Sequence, residues 1–391
     1  MAQIDLDLAH AYAPHPQQDS DYALLPLKMT FKDGGAYALL GPSGCGKTTM
    51  LNVISGLLPP SQGQVLFDGR DVTALSPQAR NIAQVFQFPV IYDTMTVAEN
   101  LAFPLKNRGV APDKIRARVG KIAEMLEMSA QLNQRAAGLT ADAKQKISLG
   151  RGLVREDVSA VLFDEPLTVI DPQLKWQLRR KLKQIHHELK LTLIYVTHDQ
   201  VEALTFAEQI VVMSRGRAVQ MGSAEALFER PQHMFVGNFI GSPGMNFLRG
   251  ESTGGVATVA GHALAGPLPA LPVFTLGVRP EYVALVAAGT PGALPATVAT
   301  VQDVGTYWLL SARIAVGAVA AVAAVGVGGA VGVSGVGGNG AAAAPAVKLR
   351  LPAQAKPPSV GEAVWLRLLG EHTCFYGPDE QLIPSSEAAP R

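Results

Sequence analysis

The sequence contains very little cysteine and almost no excess of charge of either sign. Cys45 and Cys374 are the only cysteines among 391 residues, and they lie far apart in the chain. A disulfide framework is therefore excluded as the device that holds the fold together, which fits a reducing compartment. Lys and Arg number 33 against 32 Asp and Glu, so no basic field exists to attract nucleic acid or anionic lipid. We expect the macromolecular partners to be proteins, with no nucleic acid among them.

The amino terminus lacks the basic patch and the apolar run of an export signal. Residues 1–12, MAQIDLDLAHAY, instead alternate between apolar and polar side chains and carry acidic residues. Alternation of this kind is typical of a half-buried β-strand. The sequence therefore predicts that the chain opens with a strand.

A long segment in the second half of the chain lacks charged residues altogether. It runs from Ile314 to Val347 and exceeds the minimum length of a membrane span. Beyond Ile314 it consists mostly of Ala, Gly and Val, without the Leu and Phe that stabilise a helix in lipid. Gly-rich stretches also lose much conformational entropy on ordering. We therefore interpret 314–347 as a flexible low-complexity insertion rather than a membrane span.

The first part of the chain alternates between apolar runs and amphipathic segments. The runs that predict strands are Gly35–Leu40, Ala160–Phe163 and Leu191–Val196, and the segments that predict helices are Thr48–Leu58 and Gln173–Leu189. Strands that alternate with helices predict an α/β fold with a mostly parallel sheet. The charged segment from about 97 to 155 has a helical pattern without a strong strand, and we expect a helical subdomain there.

The character of the sequence changes near Gly241. Gly, Pro, Ala and Val dominate from there on, and the runs that predict short strands are Val273–Val278, Tyr307–Leu310 and Val364–Leu369. A chain of this length suits one large and one small domain. We predict an α/β domain over 1–240 and an all-β domain over 241–391, the latter interrupted by the insertion at 314–347.

One glycine-rich loop carries the strongest chemical signal in the sequence. It lies between a predicted strand and a predicted helix, the context in which such loops bind phosphate. Glycines let the backbone N–H groups turn toward the phosphates of ATP, a Lys reaches the β and γ phosphates, and a hydroxyl binds Mg²⁺. The residues of this loop are Gly41, Pro42, Ser43, Gly44, Cys45, Gly46, Lys47, Thr48 and Thr49.

Polar residues follow the other two predicted strands. Asp164 ends the run AVLFD, where a carboxylate can hold Mg²⁺, and the adjacent Glu165 is the candidate general base. His198 follows the next run and should project from the same sheet edge, where it can contact the γ phosphate or the attacking water. Gln87 is a candidate partner of the metal or the water. Paired acids at a strand end can also serve as helix caps or solvated charges, but the phosphate loop favours catalysis.

In this order, these residues resemble the nucleotide-binding subunit of ABC transporters from about Ile4 to Asn246. The resemblance implies that Gln87 is the Q-loop residue that senses the permease, Asp171 the D-loop aspartate and His198 the switch histidine. It also implies that an aromatic residue stacks on adenine. Tyr12 is the first candidate and Tyr22 the second, because the stretch between them is longer than is usual in the family.

The later parts of the chain resemble the carbohydrate-import branch of this family. The stretches concerned are VTHDQVEALTFAEQIVVM, FVGNFIGSPGMNF, LGVRPE and GEHTCFY. The last two resemble the OB-like regulatory β domain of that branch. The resemblance implies paired ATPases at the cytoplasmic face of an inner membrane, bound peripherally to two permease subunits. A periplasmic solute-binding protein delivers the solute, which those other chains select.

The signature loop departs from the family pattern. Leu-Ser-Gly-Gly-Gln is replaced by Leu-Thr-Ala-Asp-Ala at Leu139–Ala143. Thr140 can keep the hydroxyl that contacts the partner's nucleotide, whereas Asp142 places a carboxylate near its phosphate. Both residues also suit the cap of a helix running through Lys144–Leu153. A homodimer would carry this departure at both sites, so the sequence favours a heterodimer with a second ABC ATPase. The run Leu139–Arg155 resembles one of the paired ATPases of glycerol or glycerol-3-phosphate importers.

Three functions are compatible with parts of this pattern. The leading hypothesis is an ATP-hydrolysing subunit that powers import of a small polyol or carbohydrate. An alternative is a catalytically weak regulatory or scaffolding subunit of a heterodimeric sugar importer, against which Glu165 and His198 argue. A soluble ABC protein acting on ribosomes or DNA would have two cassettes or a long coiled coil, and the sequence shows neither.

Overall fold

The computed structural model describes residues 1–168, 170–253, 256–265, 271–317 and 344–384. The chain forms two compact units, Met1–Ala224 and Glu225–Arg391. The first unit contains strands and helices, and the second is built mainly of strands. The α/β fold class followed by an all-β part is thereby confirmed.

The strands of the first unit belong to two sheets. In chain order they are β1 (Ile4–Ala11), β2 (Tyr22–Phe31), β3 (Ala36–Leu40), β4 (Gln62–Phe67), β5 (Arg70–Asp71), β6 (Ile82–Val85), β7 (Ala160–Asp164), β8 (Leu193–Thr197), β9 (Gln209–Ser214) and β10 (Arg217–Gly222). One sheet has the order β2-β1-β4-β5 and the other the order β10-β9-β3-β8-β7-β6. The predicted first strand is confirmed as β1.

The second of these sheets is mostly parallel. Strand β3 pairs in parallel with β8 and β9, and β7 pairs in parallel with β6 and β8, while β10 runs antiparallel to β9. Every residue of β3 and β8 is buried. A parallel sheet is covered on both faces, which is why its strands are continuous apolar runs in the sequence. Their carboxyl ends share one edge, so the loops after β3, β7 and β8 meet there.

Helices cover this sheet and form the segment between β6 and β7. The α-helices of the first unit are α1 (Lys47–Ser55), α2 (Val97–Lys106), α3 (Pro112–Met125), α4 (Ala141–Leu153), α5 (Pro172–Leu189) and α6 (Gln200–Phe206), with short 3₁₀ turns at Asp19–Asp21, Ser129–Gln131 and Ala136–Gly138. Helix α2 begins with a capping box in which Thr96 and Glu99 bond each other's backbone N–H groups. The structure describes all of residues 97–155, and within them helices and turns occur without a strand, as the pattern predicted, apart from an isolated bridge between Arg135 and Thr96.

The second unit starts with two short helices and continues as antiparallel strands. These elements are α7 (Ala224–Glu229), α8 (Met234–Phe239), β11 (Asn246–Thr253), β12 (Val256–Val259), β13 (His262–Ala263), β14 (Val273–Val278), β15 (Ala284–Val286), β16 (Leu294–Asp303), β17 (Tyr307–Ile314), β18 (Ala346–Pro352), β19 (Ala363–Arg367) and β20 (Cys374–Tyr376). One sheet has the order β13-β12-β11-β14-β20, the other β15-β19-β16-β17-β18. Apolar side chains of both sheets share one core, which includes Leu248, Phe274, Leu310 and Leu366.

The predicted insertion connects two paired strands of this unit. Arg313 near the end of β17 pairs with Ala346 at the start of β18. The predicted insertion therefore lies between adjacent strands, but its residues 318–343 are outside the described part of the chain. Among the residues that the structure describes, no helix is both long enough and apolar enough to cross a bilayer.

Candidate functional site

The glycine-rich loop joins β3 to α1 at the carboxyl edge of the parallel sheet. Gly46 caps α1 with a φ of 102°, in the left-handed region that favours glycine. Space requires glycine as well, because a Cβ at Gly46 would lie 2.4 Å from the carbonyl oxygen of Ala23. Gly44 also has a positive φ of 77°. The backbone of this loop is therefore fixed in a turn that other residues would strain.

Lys47 is buried at the base of this loop. Its Nζ donates hydrogen bonds to the carbonyl oxygens of Gly41, at 2.8 Å, and Pro42, at 3.0 Å. Only 5% of its surface is exposed. The Sγ of Cys45 lies 4.0 Å from the same Nζ. Burial raises the pKa of the Cys45 thiol and the ammonium of Lys47 opposes this effect, so the thiol is neutral near pH 7.

The loops after β7 and β8 bring the predicted catalytic residues together. The N–H of Glu165 donates to the carbonyl of Val196 in β8, at 3.0 Å, which ties the end of β7 to the neighbouring strand. His198 Nδ1 lies 3.1 Å from Glu165 Oε2. Glu165 has a φ of 45°, an unusual value for a residue other than glycine. A strained backbone of this kind at a site is held by its surroundings, here by the pairing of β7 with β8.

Asp164 contacts the phosphate loop directly. The Oγ1 of Thr48 donates to Asp164 Oδ1 at 3.2 Å. Burial raises the pKa of the Asp164 carboxyl, the hydrogen bond from Thr48 lowers it, the negative charge of Glu165 raises it and Lys47 lowers it. The net direction is upward because burial is the largest of these effects. The hydroxyl of Thr48 and the carboxylate of Asp164 are in contact, and together they form a set of oxygen donors that fits Mg²⁺.

A cavity of about 370 Å³ opens beside these residues. Its lining consists of Tyr12, Ala23, Ser43, Gly44, Gly46, Lys47, Thr48, Thr49 and Glu165. Tyr12 is 67% exposed, and its hydroxyl shares a 3.0 Å hydrogen bond with Thr49 Oγ1. Tyr22 is not among the lining residues, and its hydroxyl instead accepts a hydrogen bond from Gln62 Nε2 at 3.4 Å. Of the two predicted candidates for stacking, the structure places Tyr12 at the cavity.

The remaining predicted residues lie on neighbouring loops and helix starts. Gln87 follows the end of β6 and is not among the residues that line the cavity. Asp171 caps α5, where its side chain accepts a hydrogen bond from the N–H of Gln173 at 2.9 Å. Thr140 caps α4, where its Oγ1 accepts from the N–H of Ala143 at 3.3 Å. The capping role that the sequence suggested for Thr140 is thus present.

Asp142 occupies the first turn of α4. Its Oδ1 is buried and has no hydrogen-bond partner among the described residues. Negative charge near a helix amino terminus is favourable, and this interaction provides a structural reason for an acid at this position. The structure therefore leaves the carboxylate of Asp142 compensated by the helix end rather than by a specific donor.

Two supports of the site were missed by the sequence analysis. Glu202 is 3% exposed and accepts hydrogen bonds from Tyr195 in β8, at 3.0 Å, and from Thr197 Oγ1, at 2.8 Å. It therefore fixes the strand end that carries His198. Thr168 donates to Glu165 Oε2 at 3.3 Å.

Comparison with known proteins identifies the family of this chain. The sequence profile of the ABC transporter family matches residues 24–168. The sn-glycerol-3-phosphate import ATP-binding protein UgpC of Chromohalobacter salexigens is 41% identical over 297 residues, which cover 75% of this chain and 80% of that protein. The protein of the same name from Paraburkholderia xenovorans is 36% identical over 369 residues, or 91% of this chain and 93% of that protein. The chain belongs to the ABC transporter ATP-binding family.

A solved structure supports the same assignment of this ABC ATPase. The cbiO1 protein from Clostridium perfringens, part of the ABC transporter complex cbiONQ, is 26% identical to this chain. It aligns with a TM-score of 0.53 over 58% of this chain and 90% of its own. The family and fold predicted from the motifs are confirmed. As a member of this family, the chain is an ATP-binding import subunit whose ATP hydrolysis is coupled to transport through membrane permeases.

Proposed function

We propose that this ABC ATPase powers the import of a small polyol or carbohydrate, and specifically of glycerol-3-phosphate. The names of the two relatives described above support the solute, because both are glycerol-3-phosphate import proteins. The observation that carries a hydrolytic role for this chain is the 3.1 Å contact between His198 and Glu165 beside the phosphate loop. A subunit with only a scaffolding role would have no use for this pair.

The roles of the residues follow from their positions. The backbone of the phosphate loop and Lys47 bind the phosphates of ATP, and Tyr12 stacks on the adenine. Glu165 accepts a proton from the attacking water as general base. His198 holds Glu165 and donates toward the γ phosphate. The backbone of Glu165 is held by its bond to Val196, and its carboxylate is held by His198 and by Thr168, so the base is positioned before the reaction.

The oxygen donors of Thr48 and Asp164 would hold Mg²⁺, with Gln87 as a further ligand. When bound, the ion neutralises negative charge that develops on the phosphates. Asp164 sits at the end of a buried strand and contacts Thr48, so both donors belong to rigid elements. Thr140 and Asp171 would face the nucleotide of a second ATPase subunit. The assembled importer would place this chain peripherally at the cytoplasmic face of the inner membrane, with a solute-binding protein on the other side.

The first test replaces the candidate base in the assembled transporter. Glu165→Gln removes the proton acceptor but keeps the shape of the side chain, so we expect solute-stimulated ATP hydrolysis to fall at least about 100-fold while ATP binding persists. Glu188→Gln, an exposed change on α5, serves as the matched control and should retain full activity. The rates are compared with glycerol-3-phosphate, glycerol and maltose as solutes.

Two outcomes would contradict the proposal in different ways. If Glu165→Gln retains turnover and only the equivalent change in a partner ATPase abolishes it, this chain is the regulatory half of the pair. If maltose, and neither glycerol-3-phosphate nor glycerol, stimulates the wild-type complex, the proposed solute is wrong while the ATPase role stands.

A further inference from the structure

His10 is a buried histidine for which the proposed mechanism has no use. It lies in β1 and is only 5% exposed. Neither ring nitrogen has a hydrogen bond of normal geometry among the described residues. Burial lowers the pKa of His10, and the nearby backbone of Pro59 opposes this effect to a smaller extent. The ring is therefore neutral at physiological pH. Buried polar groups normally have hydrogen-bond partners, so a buried histidine ring without them needs an explanation.

The ring of His10 packs against the ring of Tyr12. Their centroids are 4.8 Å apart and their planes are at 89°, which is the edge-to-face geometry that aromatic rings prefer. Tyr12 has a second contact, the 3.0 Å hydrogen bond between its hydroxyl and Thr49 at the start of α1. Tyr12 is otherwise exposed, so these two contacts restrict its ring at the cavity wall.

The backbone around His10 is built to direct these two side chains. The pairing of β1 with β2 shifts register on both sides of His10, which marks an irregularity that re-aims side chains. Ser61 also holds the backbone of this stretch by two hydrogen bonds. Its hydroxyl accepts from the N–H of Ala11 at 3.0 Å and donates to the carbonyl of Ala9 at 3.2 Å. The end of β1 is thus fixed where it delivers Tyr12 to the cavity.

From this geometry we propose that His10 is a positioning residue that holds the Tyr12 ring in the orientation in which it stacks on the base of ATP. This inference rests on the proposed role of Tyr12. It assigns His10 to recognition of the base and not of the phosphates. Loss of the His10 ring should therefore weaken nucleotide binding without slowing the chemical step.

The test measures the affinity of the full chain for ATP by calorimetry and the ATPase kinetics of the assembled transporter. We expect His10→Ala to raise the Kd and KM for ATP about two- to ten-fold with kcat unchanged, the range that one aromatic pair provides. His10→Phe keeps an aromatic edge and should restore the affinity. His10→Ala should leave the affinity for inorganic tripolyphosphate unchanged, because that ligand has no base.

A double-mutant cycle separates the inference from its premise. Tyr12→Ala should weaken ATP binding, and adding His10→Ala to it should have no further effect, because the contact is already lost. His186→Ala removes another buried histidine, located in α5, and is the matched control that should bind ATP normally. If Tyr12→Ala binds ATP normally, the role of Tyr12 fails and the inference with it. If Tyr12→Ala weakens ATP but His10→Ala does not, or if His10→Ala weakens tripolyphosphate equally, only the inference on His10 is overturned.

Discussion

At the scale of single residues, Asp142 is the position where local stability and function make opposite demands. In the first turn of α4 its charge interacts favourably with the helix end, an effect of about 0.3–1 kcal/mol. In a closed dimer the same carboxylate would approach the phosphates of the partner's ATP. Two unit charges 4 Å apart repel by about 4 kcal/mol at an effective dielectric constant of 20. This repulsion is larger than the favourable interaction of Asp142 with the helix end.

We therefore predict that Asp142→Asn lowers the KM for ATP of the assembled transporter several-fold and slightly destabilises the isolated chain. The change removes the charge but keeps the size of the side chain. Steady-state ATPase kinetics and thermal unfolding measure the two effects. Asp113→Asn is the matched control, since Asp113 holds the same position in the first turn of α3. A KM that is unchanged or higher in the Asp142 variant would show that this carboxylate turns away from the nucleotide.

The site residues that could be predicted from the sequence are those whose roles depend on residues next to them in the chain. Lys47 and Thr48 belong to one short loop, and Asp164 and Glu165 end one apolar run, so spacing alone identified them. Glu202 and Thr168 could not be assigned in this way, because their hydrogen bonds depend on how the chain turns after β8 and after β7, which spacing in the sequence does not show. His10 was hidden for the same reason. Its partner Tyr12 is close in sequence, but its burial depends on strands that pair across the first sheet.

At the scale of elements, periodicity located the runs that it marked, but it did not mark strands such as β9 and β16, and it left the pairing of all strands open. The predicted run Val273–Val278 is β14, and the predicted helix 173–189 differs from α5 by one residue. The helix begins one residue earlier than predicted, at Pro172, because Asp171 caps it and proline suits its first position. The order of strands within each sheet depends on long-range contacts, which local periodicity does not report.

Glu229, Tyr282 and His372 form a cluster in the second unit, and the pH dependence of stability can test it. The hydroxyl of Tyr282 donates to Glu229 Oε1 at 2.5 Å, and its ring stacks on His372 with 4.1 Å between centroids. Glu229 ends α7, Tyr282 precedes β15 and His372 precedes β20. Burial, followed by the hydrogen bond and charge of Glu229, raises the pKa of Tyr282 to about 12. The hydroxyl therefore stabilises the fold only while it is protonated.

From this shift we predict the pH at which the contribution of Tyr282 disappears. Its folded pKa lies above the unfolded value of about 10, so its contribution is complete below pH 10 and declines as the pH rises toward 12. Tyr282→Phe should lower the free energy of unfolding at pH 8, and its difference from wild type should shrink above pH 10. Denaturant unfolding of the full chain at pH 8 to 11 measures that difference. A difference that stays constant over this range would contradict the assignment.

At the scale of the whole molecule, the residues of the proposed ATP site all come from the first unit, whereas the second unit is a separate β structure with its own core. The first unit supplies a complete phosphate loop and the pair formed by Glu165 and His198. Its own signature loop would serve the nucleotide of another subunit. In the proposed importer, the activity of this chain would therefore depend on which ATPase it pairs with.

The last prediction concerns this pairing. If the Thr-Ala-Asp-Ala stretch weakens the site to which it is presented, a homodimer has two weak sites, while a heterodimer with an intact partner signature keeps one good site on this chain's phosphate loop. We expect the permeases reconstituted with this chain alone to show little solute-stimulated ATP hydrolysis, and a second ABC ATPase to restore it. Asp142→Asn should then rescue part of the activity of the chain alone, whereas Asp113→Asn should not. Full activity of the permeases with this chain alone would establish a homodimer and would place Asp142 away from the phosphate.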